Sequence, residues 1–129
     1  MIKETTKFTL EEVARRLNEA EITWAVFAGA AASIYGSARP LTDVDILVPA
    51  ADAEEVAELF PEGNTKQHEG KISGVELPNF DIVAGLSLDT DLDTPMMTRI
   101  QHHKLQGITV PVIPAEDNIL LKAAWGRGP

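Results

Sequence analysis

The stretch Ala38-Arg-Pro-Leu-Thr-Asp-Val-Asp-Ile-Leu-Val-Pro-Ala50 constrains this chain more than any other. Asp43 and Asp45 stand at the mouth of the apolar run Ile46-Leu47-Val48, which reads as a strand over 43–48 that Pro49 stops. Residues two apart on a strand share a face. Asp43 and Asp45 therefore sit side by side, with Val44 turned away and their β-carbons roughly 6.5–7 Å apart. Without a cation between them they repel by about 2.5 kcal/mol at an effective dielectric near 20. A purely structural role does not favour that arrangement, whereas a divalent cation reverses its sign. Hard carboxylate oxygens are what Mg²⁺ and Mn²⁺ accept. The plain alternative is a surface turn whose acids cap the preceding loop.

Around this strand the chain alternates elements. Thr9 stands three residues before Glu12, a capping-box spacing, and Leu10, Val13, Ala14 and Leu17 recur at helical spacing, so a helix is expected over 9–20. Residues 22–29, ITWAVFAG, are a continuous apolar run and read as a buried strand ending at Gly29. A short helix over 30–37 follows, stopped near Gly36. Residues 51–60 read as an acid-faced helix, 61–70 as polar and turn-rich, and 71–77 and 80–84 as strands split by Pro78-Asn79. Residues 85–97 read as a loop, 98–113 as a hairpin about Gly107, and Pro114 as the start of a last helix. The order α-β-α-β-α-β-β-β-β-α is that of one α+β domain with a central mixed β-sheet flanked by helices.

Two further features join the Asp pair. Asp81 lies at the edge of an apolar strand, in Phe80-Asp81-Ile82-Val83. If that strand neighbours the first, three carboxylates converge, and two metal ions about 3.5–4 Å apart can flank a phosphoryl centre. Upstream, Gly29 ends a strand and opens a short helix, where backbone N–H groups bind phosphate and glycine lets the ligand approach, a simple strand-to-helix turn being the plain alternative.

With these residues in view, FAGAAASIYGSARPLTDVDILV resembles the signature of the polymerase-β-type nucleotidyltransferase superfamily: a Gly-Gly or Gly-Ser turn, a short helix, Asp-x-Asp on the next strand and a third Asp on a later one. The wording Tyr35-Gly36…Arg39…Thr42-Asp43-Val44-Asp45 is most similar to small prokaryotic members, the minimal nucleotidyltransferases and the AbiEii-type toxins. The resemblance extends to Pro114-Ala115-Glu116-Asp117…Leu121-Lys122. It implies a nucleotidyltransferase fold and a Mg²⁺- or Mn²⁺-dependent enzyme that moves an NMP from an NTP to a hydroxyl acceptor: RNA, a protein or a small molecule. Asp43, Asp45 and Asp81 match the family's metal ligands and catalytic acids, and Gly29 its first glycine. Ala30 stands where the family has Gly or Ser; Ser33, one turn on, is the candidate replacement hydroxyl. Arg39 is a candidate phosphate clamp, with a solvated loop arginine as the alternative. Lys122 is a candidate phosphate contact or an exposed helical lysine. Family members commonly continue past Trp125–Pro129 with a Lys/Asp-rich helix, so the expectation is a domain trimmed at its C-terminus, one without a disordered tail, or one that depends on a partner. The alternative function is a catalytically weak binding module, or a toxin–antitoxin component acting through a protein partner.

Charge narrows the partners. Of the net −9, residues 49–93 carry eleven acids against two bases, whereas residues 94–129 are net +2. So acidic a middle argues against a broad nucleic-acid surface. The chain has no cysteine, which excludes thiolate metal sites and fits a reducing, cytoplasmic setting. No stretch approaches the roughly 18 apolar residues of a membrane span, and the N-terminus lacks an apolar signal core. Asp89-Thr90-Asp91-Leu92-Asp93 imitates a calcium-loop opening but has Thr94 and Ile100 where that loop needs Gly and Glu. His102 and His103 are adjacent and face opposite ways on a strand, a poor start for a zinc site.

Overall fold

A computed structural model of the chain describes residues 8–28, 31, 34, 36, 43–85, 100–105 and 107–114. The first helix, α1, spans Leu10–Glu19 and buries Leu10, Val13, Ala14 and Leu17, the stripe its periodicity announces. Thr9 caps it, its Oγ1 accepting from the Glu12 N–H at 3.1 Å. The strands β1 (Ala25–Phe27) and β2 (Val44–Val48) follow. A 3₁₀ turn over Ala50–Asp52 leads into the second helix, α2 (Ala53–Leu59). Then come β3 (Asn64–His68), β4 (Lys71–Leu77), β5 (Phe80–Ala84), β6 (Gln101–Leu105) and β7 (Ile108–Val112). The helices expected over 30–37 and after Pro114 fall outside the described residues, apart from Ala31, Ile34, Gly36 and Pro114 itself.

The strands form one sheet in the order β3-β4-β5-β2-β1-β7-β6. It is mixed: β2 runs antiparallel to β1 and parallel to β5, and β1 runs parallel to β7. This is the expected α+β architecture with one strand more than expected. The segment 61–70, read as turn-rich, contains β3. All five of its residues are exposed, so no apolar alternation marks it. It forms because Glu69 (φ 54°) and Gly70 (φ 80°) make a two-residue turn with both central residues left-handed. That turn's twist suits a hairpin closed by His68 and Lys71.

One sheet face carries Val44, Ile46, Val48, Val75, Ile82, Val110 and Val112 into the main core. There they meet the apolar stripes of both helices: Val13 and Leu17 of α1, Val56 of α2, and Phe60 just beyond it. The opposite face buries a smaller cluster of Ala25, Phe27, Leu47 and Ile113. The polar residues of β2, β4 and β5 lie beside that cluster.

Arg16 ties the two helices together. Its guanidinium lies 5.1 Å from the centroid of the Phe8 ring and 5.2 Å from that of Phe60. It donates to the Leu59 carbonyl at 2.8 Å, at the C-terminal end of α2, and pairs with Glu12 and Glu62. Arg15 first and Arg16 second hold the Glu12 carboxyl below its ordinary value, and Arg16 does the same for Glu62. Arg16→Leu is expected to cost about 2 kcal/mol, or roughly 7 °C of melting temperature at neutral pH, mostly through the ring and carbonyl contacts. The exposed carboxylates add a screened remainder. A depressed carboxyl pKa stabilises above the unfolded value of about 4.5 and loses that contribution as pH falls through the folded value. The melting gap between wild type and variant therefore narrows as pH falls below the ordinary carboxyl value of about 4.5, without closing. A gap independent of pH would show that the pairing of Arg16 with the two carboxylates adds nothing to stability.

Candidate functional site

Strands β2 and β5 are in register from Val44 opposite Phe80 to Val48 opposite Ala84, which sets Asp45 directly beside Asp81. Neighbouring strands lie about 4.8 Å apart and paired residues share a face. Two carboxylates therefore stand shoulder to shoulder, on the face opposite the one that packs on α1 and α2. The row continues on both sides. Phe27, the last residue of β1, pairs with Asp45; Glu76 of β4 pairs with Asp81, and Asn64 of β3 with Glu76. Across five strands it reads Phe27, Asp45, Asp81, Glu76, Asn64. Glu76 is not a candidate on sequence grounds, because only the register of a β-ladder brings it level with Asp81.

The row's charge is offset by a residue that sequence also leaves unmarked. The Lys66 Nζ lies 3.0 Å from Asp81 Oδ1, with 42% of the Lys66 side chain and 34% of the Asp81 side chain exposed. Lys66 is on β3, two strands from Asp81, and its ladder partner between them is Gly74, which has no side chain to obstruct the crossing. The β3–β4 register shifts between Lys66 and Gln67, leaving Ser73 as an extra residue on β4. Such a bulge adds local twist and re-aims the side chains beside it.

Asp43 is exposed and lies one residue before β2. Pairing at this end begins with Val44, whose N–H donates to the Asn79 carbonyl at 3.0 Å. Among the described residues no three carboxylates or imidazoles come together closely enough to hold one metal ion. The geometry explains this: acids in register form a row, and its outer members, Asp45 and Glu76, are about 10 Å apart at the backbone. Metal–oxygen bonds are near 2.1 Å for Mg²⁺. Within the row, the neighbours Asp45 and Asp81 are the pair whose hard oxygen donors suit such an ion; Asp43, expected from sequence to converge with them, does not complete a three-acid cluster.

Level with Asp45, β1 gives way to Ala28, whose φ of 57° is left-handed. For a residue with a β-carbon that conformation costs on the order of 1 kcal/mol. Gly29, Ala30, Ser33, Arg39 and Lys122 lie outside the described residues, as does the 89–93 acidic stretch. His102 and His103 are on the edge strand β6, three places from β2 in the sheet, and the His103 ring is 3.0 Å from Gln101 Oε1. They take no part in the row.

No protein-family model matches the chain, and no curated protein matches it in sequence. Solved structures do match its fold. A Thermotoga maritima protein provisionally assigned as a nucleotidyltransferase superposes with a TM-score of 0.65 at 17% identity, over 92% of this chain and 83% of that one. ANT(2″)-Ia in complex with adenylyl-2″-tobramycin gives a TM-score of 0.65 at 12% identity, over 92% and 74%. The lincosamide antibiotic adenylyltransferase LnuA, lincomycin-bound, gives 0.61 at 13% identity, over 93% and 89%. The chain thus has the fold shared by these nucleotidyltransferases, and among its described residues no helix is long and apolar enough to cross a membrane.

Proposed function

We propose that the chain transfers a nucleoside monophosphate from an NTP to a hydroxyl group of a small molecule, with Mg²⁺ or Mn²⁺ as cofactor. The observation that carries this reading is the in-register pairing of Asp45 with Asp81 on neighbouring parallel strands. In this reading Asp43, Asp45 and Asp81 hold the metal, which supplies charge neutralisation at the phosphoryl centre when bound. Gly29, Ala30 and Ser33 line the phosphates, and Arg39 and Lys122 pair with them. The acceptor oxygen bonds to the α-phosphorus, the bond to pyrophosphate breaks, and the hydroxyl proton goes to Asp81 or, with Asp81 completing the ligand set, to solvent.

A small acceptor is favoured over RNA for two reasons. Two proteins of the same fold are named with adenylyl-2″-tobramycin and lincomycin, both small molecules. And the row sets three carboxylates, Asp45, Asp81 and Glu76, against one ammonium, Lys66, a balance that repels a polyanion and attracts a cationic acceptor. The alternative, a catalytically weak cytoplasmic module of a toxin–antitoxin pair acting through a protein partner, draws on one observation: Lys66 already neutralises Asp81.

Pyrophosphate release measured with each of the four NTPs, Mg²⁺ or Mn²⁺, and a panel of aminoglycosides and lincosamides tests the proposal. Acceptor-dependent release with at least one combination is expected, together with a rise in melting temperature on adding metal and nucleotide. Absence of both the release and the melting shift would sink it.

A further inference from the structure

The Lys66–Asp81 contact bears on how a metal reaches this site, an inference that rests on the nucleotidyltransferase reading above. Asp81 is flanked in register by Asp45 on one side and Glu76 on the other. Three adjacent carboxylates on one sheet face need positive charge nearby, and Lys66 brings it from β3. The lysine is not held there by a local accident of sequence. Gly74 keeps the path across β4 clear, and the register shift at Lys66 and Gln67 sets the strand's twist at that point. Both partners are partly solvent-exposed, so the contact can open without unpacking any core residue.

We propose that Lys66 is a resident counter-ion of Asp81, one that a divalent cation must displace to bind, and that the released ammonium then pairs with the phosphates of the metal-bound nucleotide. Lys66 thereby couples metal entry to nucleotide entry. Bare metal competes with the lysine for Asp81, whereas a metal–nucleotide complex offers the lysine new anionic partners as it leaves. A lysine suits this exchange because its compact ammonium sits on a long flexible stem and binds phosphate as a point charge.

The test compares wild type with Lys66→Met, using Asp45→Asn as a control. Free Mn²⁺, followed by its electron paramagnetic resonance signal, reports metal binding without nucleotide. Isothermal titration with a non-hydrolysable ATP analogue at saturating Mn²⁺ reports nucleotide binding. Lys66→Met is expected to bind bare Mn²⁺ about three- to tenfold more tightly than wild type, since an exposed competing ion pair and its positive charge have gone. The same variant is expected to bind the nucleotide several-fold more weakly. Equal Mn²⁺ affinity in wild type and Lys66→Met, with binding lost in Asp45→Asn, overturns the role of Lys66 and leaves the metal site standing. Mn²⁺ binding that is absent, or indifferent to Asp45, overturns both. Tighter Mn²⁺ binding with unchanged nucleotide affinity overturns the phosphate half of the proposal.

Discussion

Asp45→Asn is expected to lower nucleotidyl transfer by at least about a thousandfold, near 4 kcal/mol of transition-state stabilisation, while the protein stays folded. Asp45 stands in the row between Phe27 and Asp81, and it is half-buried where Asp43 is exposed. Asparagine keeps the shape and one oxygen but removes the negative charge that a divalent cation needs. The expected effect on stability is small. One of three adjacent carboxylates disappears while asparagine keeps a hydrogen-bonding oxygen, so the melting temperature is expected to hold. Pyrophosphate release and thermal melting of the same preparation check both halves. A folded Asp45→Asn protein that retains wild-type transfer would remove the metal role of the row. A variant that loses transfer only because it unfolds would show that Asp45 is structural.

Gly74→Ala is expected to be among the most damaging single-methyl changes in this protein, costing about 3–5 kcal/mol and 10 °C or more of melting temperature. A β-carbon at that position runs into the Ile82 carbonyl oxygen, with the Ile82 carbonyl carbon at 3.3 Å and the Val83 Cα at 3.4 Å. The obstruction is backbone, so no rotamer change relieves it, and β4 must move away from β5. That movement disturbs the strand that carries Asp81 and the path taken by Lys66. Gly70→Ala is the matched control. Gly70 has a φ of 80° but nothing within 4 Å of an added β-carbon, so its cost is limited to local strain of about 1–2 kcal/mol. Thermal melts of both variants decide the matter. A Gly74→Ala protein as stable as Gly70→Ala would mean that β4 and β5 do not pair in this register.

The elements that were legible in the sequence are those whose burial is periodic or continuous. The stripe of Leu10, Val13 and Leu17 specified α1 to within a residue, and Pro78-Asn79 marked the boundary between β4 and β5, where Asn79 is left-handed (φ 69°). The hairpin about Gly107 was equally legible, since Gly107 supplies the positive φ its turn requires. The strand expected over 22–29 is shorter, Ala25–Phe27, because an apolar run records burial, not the extent of ladder pairing. β3 was illegible because every one of its residues faces solvent; its strand state comes from the turn at Glu69-Gly70 and from β4 alone.

The candidate site divides along the same line. Asp43, Asp45 and Asp81 stood out from sequence because acids at the mouth of an apolar strand are electrostatically expensive, whatever the fold. Residues 43 and 45 share a face by the two-residue period of a strand, which is local geometry. Whether Asp81 joins them, and whether Glu76 and Lys66 belong to the same surface, depends on which strands are neighbours and in what register. Lys66 and Asp81 are 15 residues apart along the chain, and no short-range pattern encodes their contact. Among the described residues the sequence by itself determined α1, α2 and the buried strands, and the location of negative charge at strand mouths, because these follow from propensity and periodicity. Only the tertiary structure decided that Asp45 and Asp81 are side-by-side neighbours and that Lys66 reaches Asp81 across Gly74. Register between distant strands is set by the whole sheet packing at once.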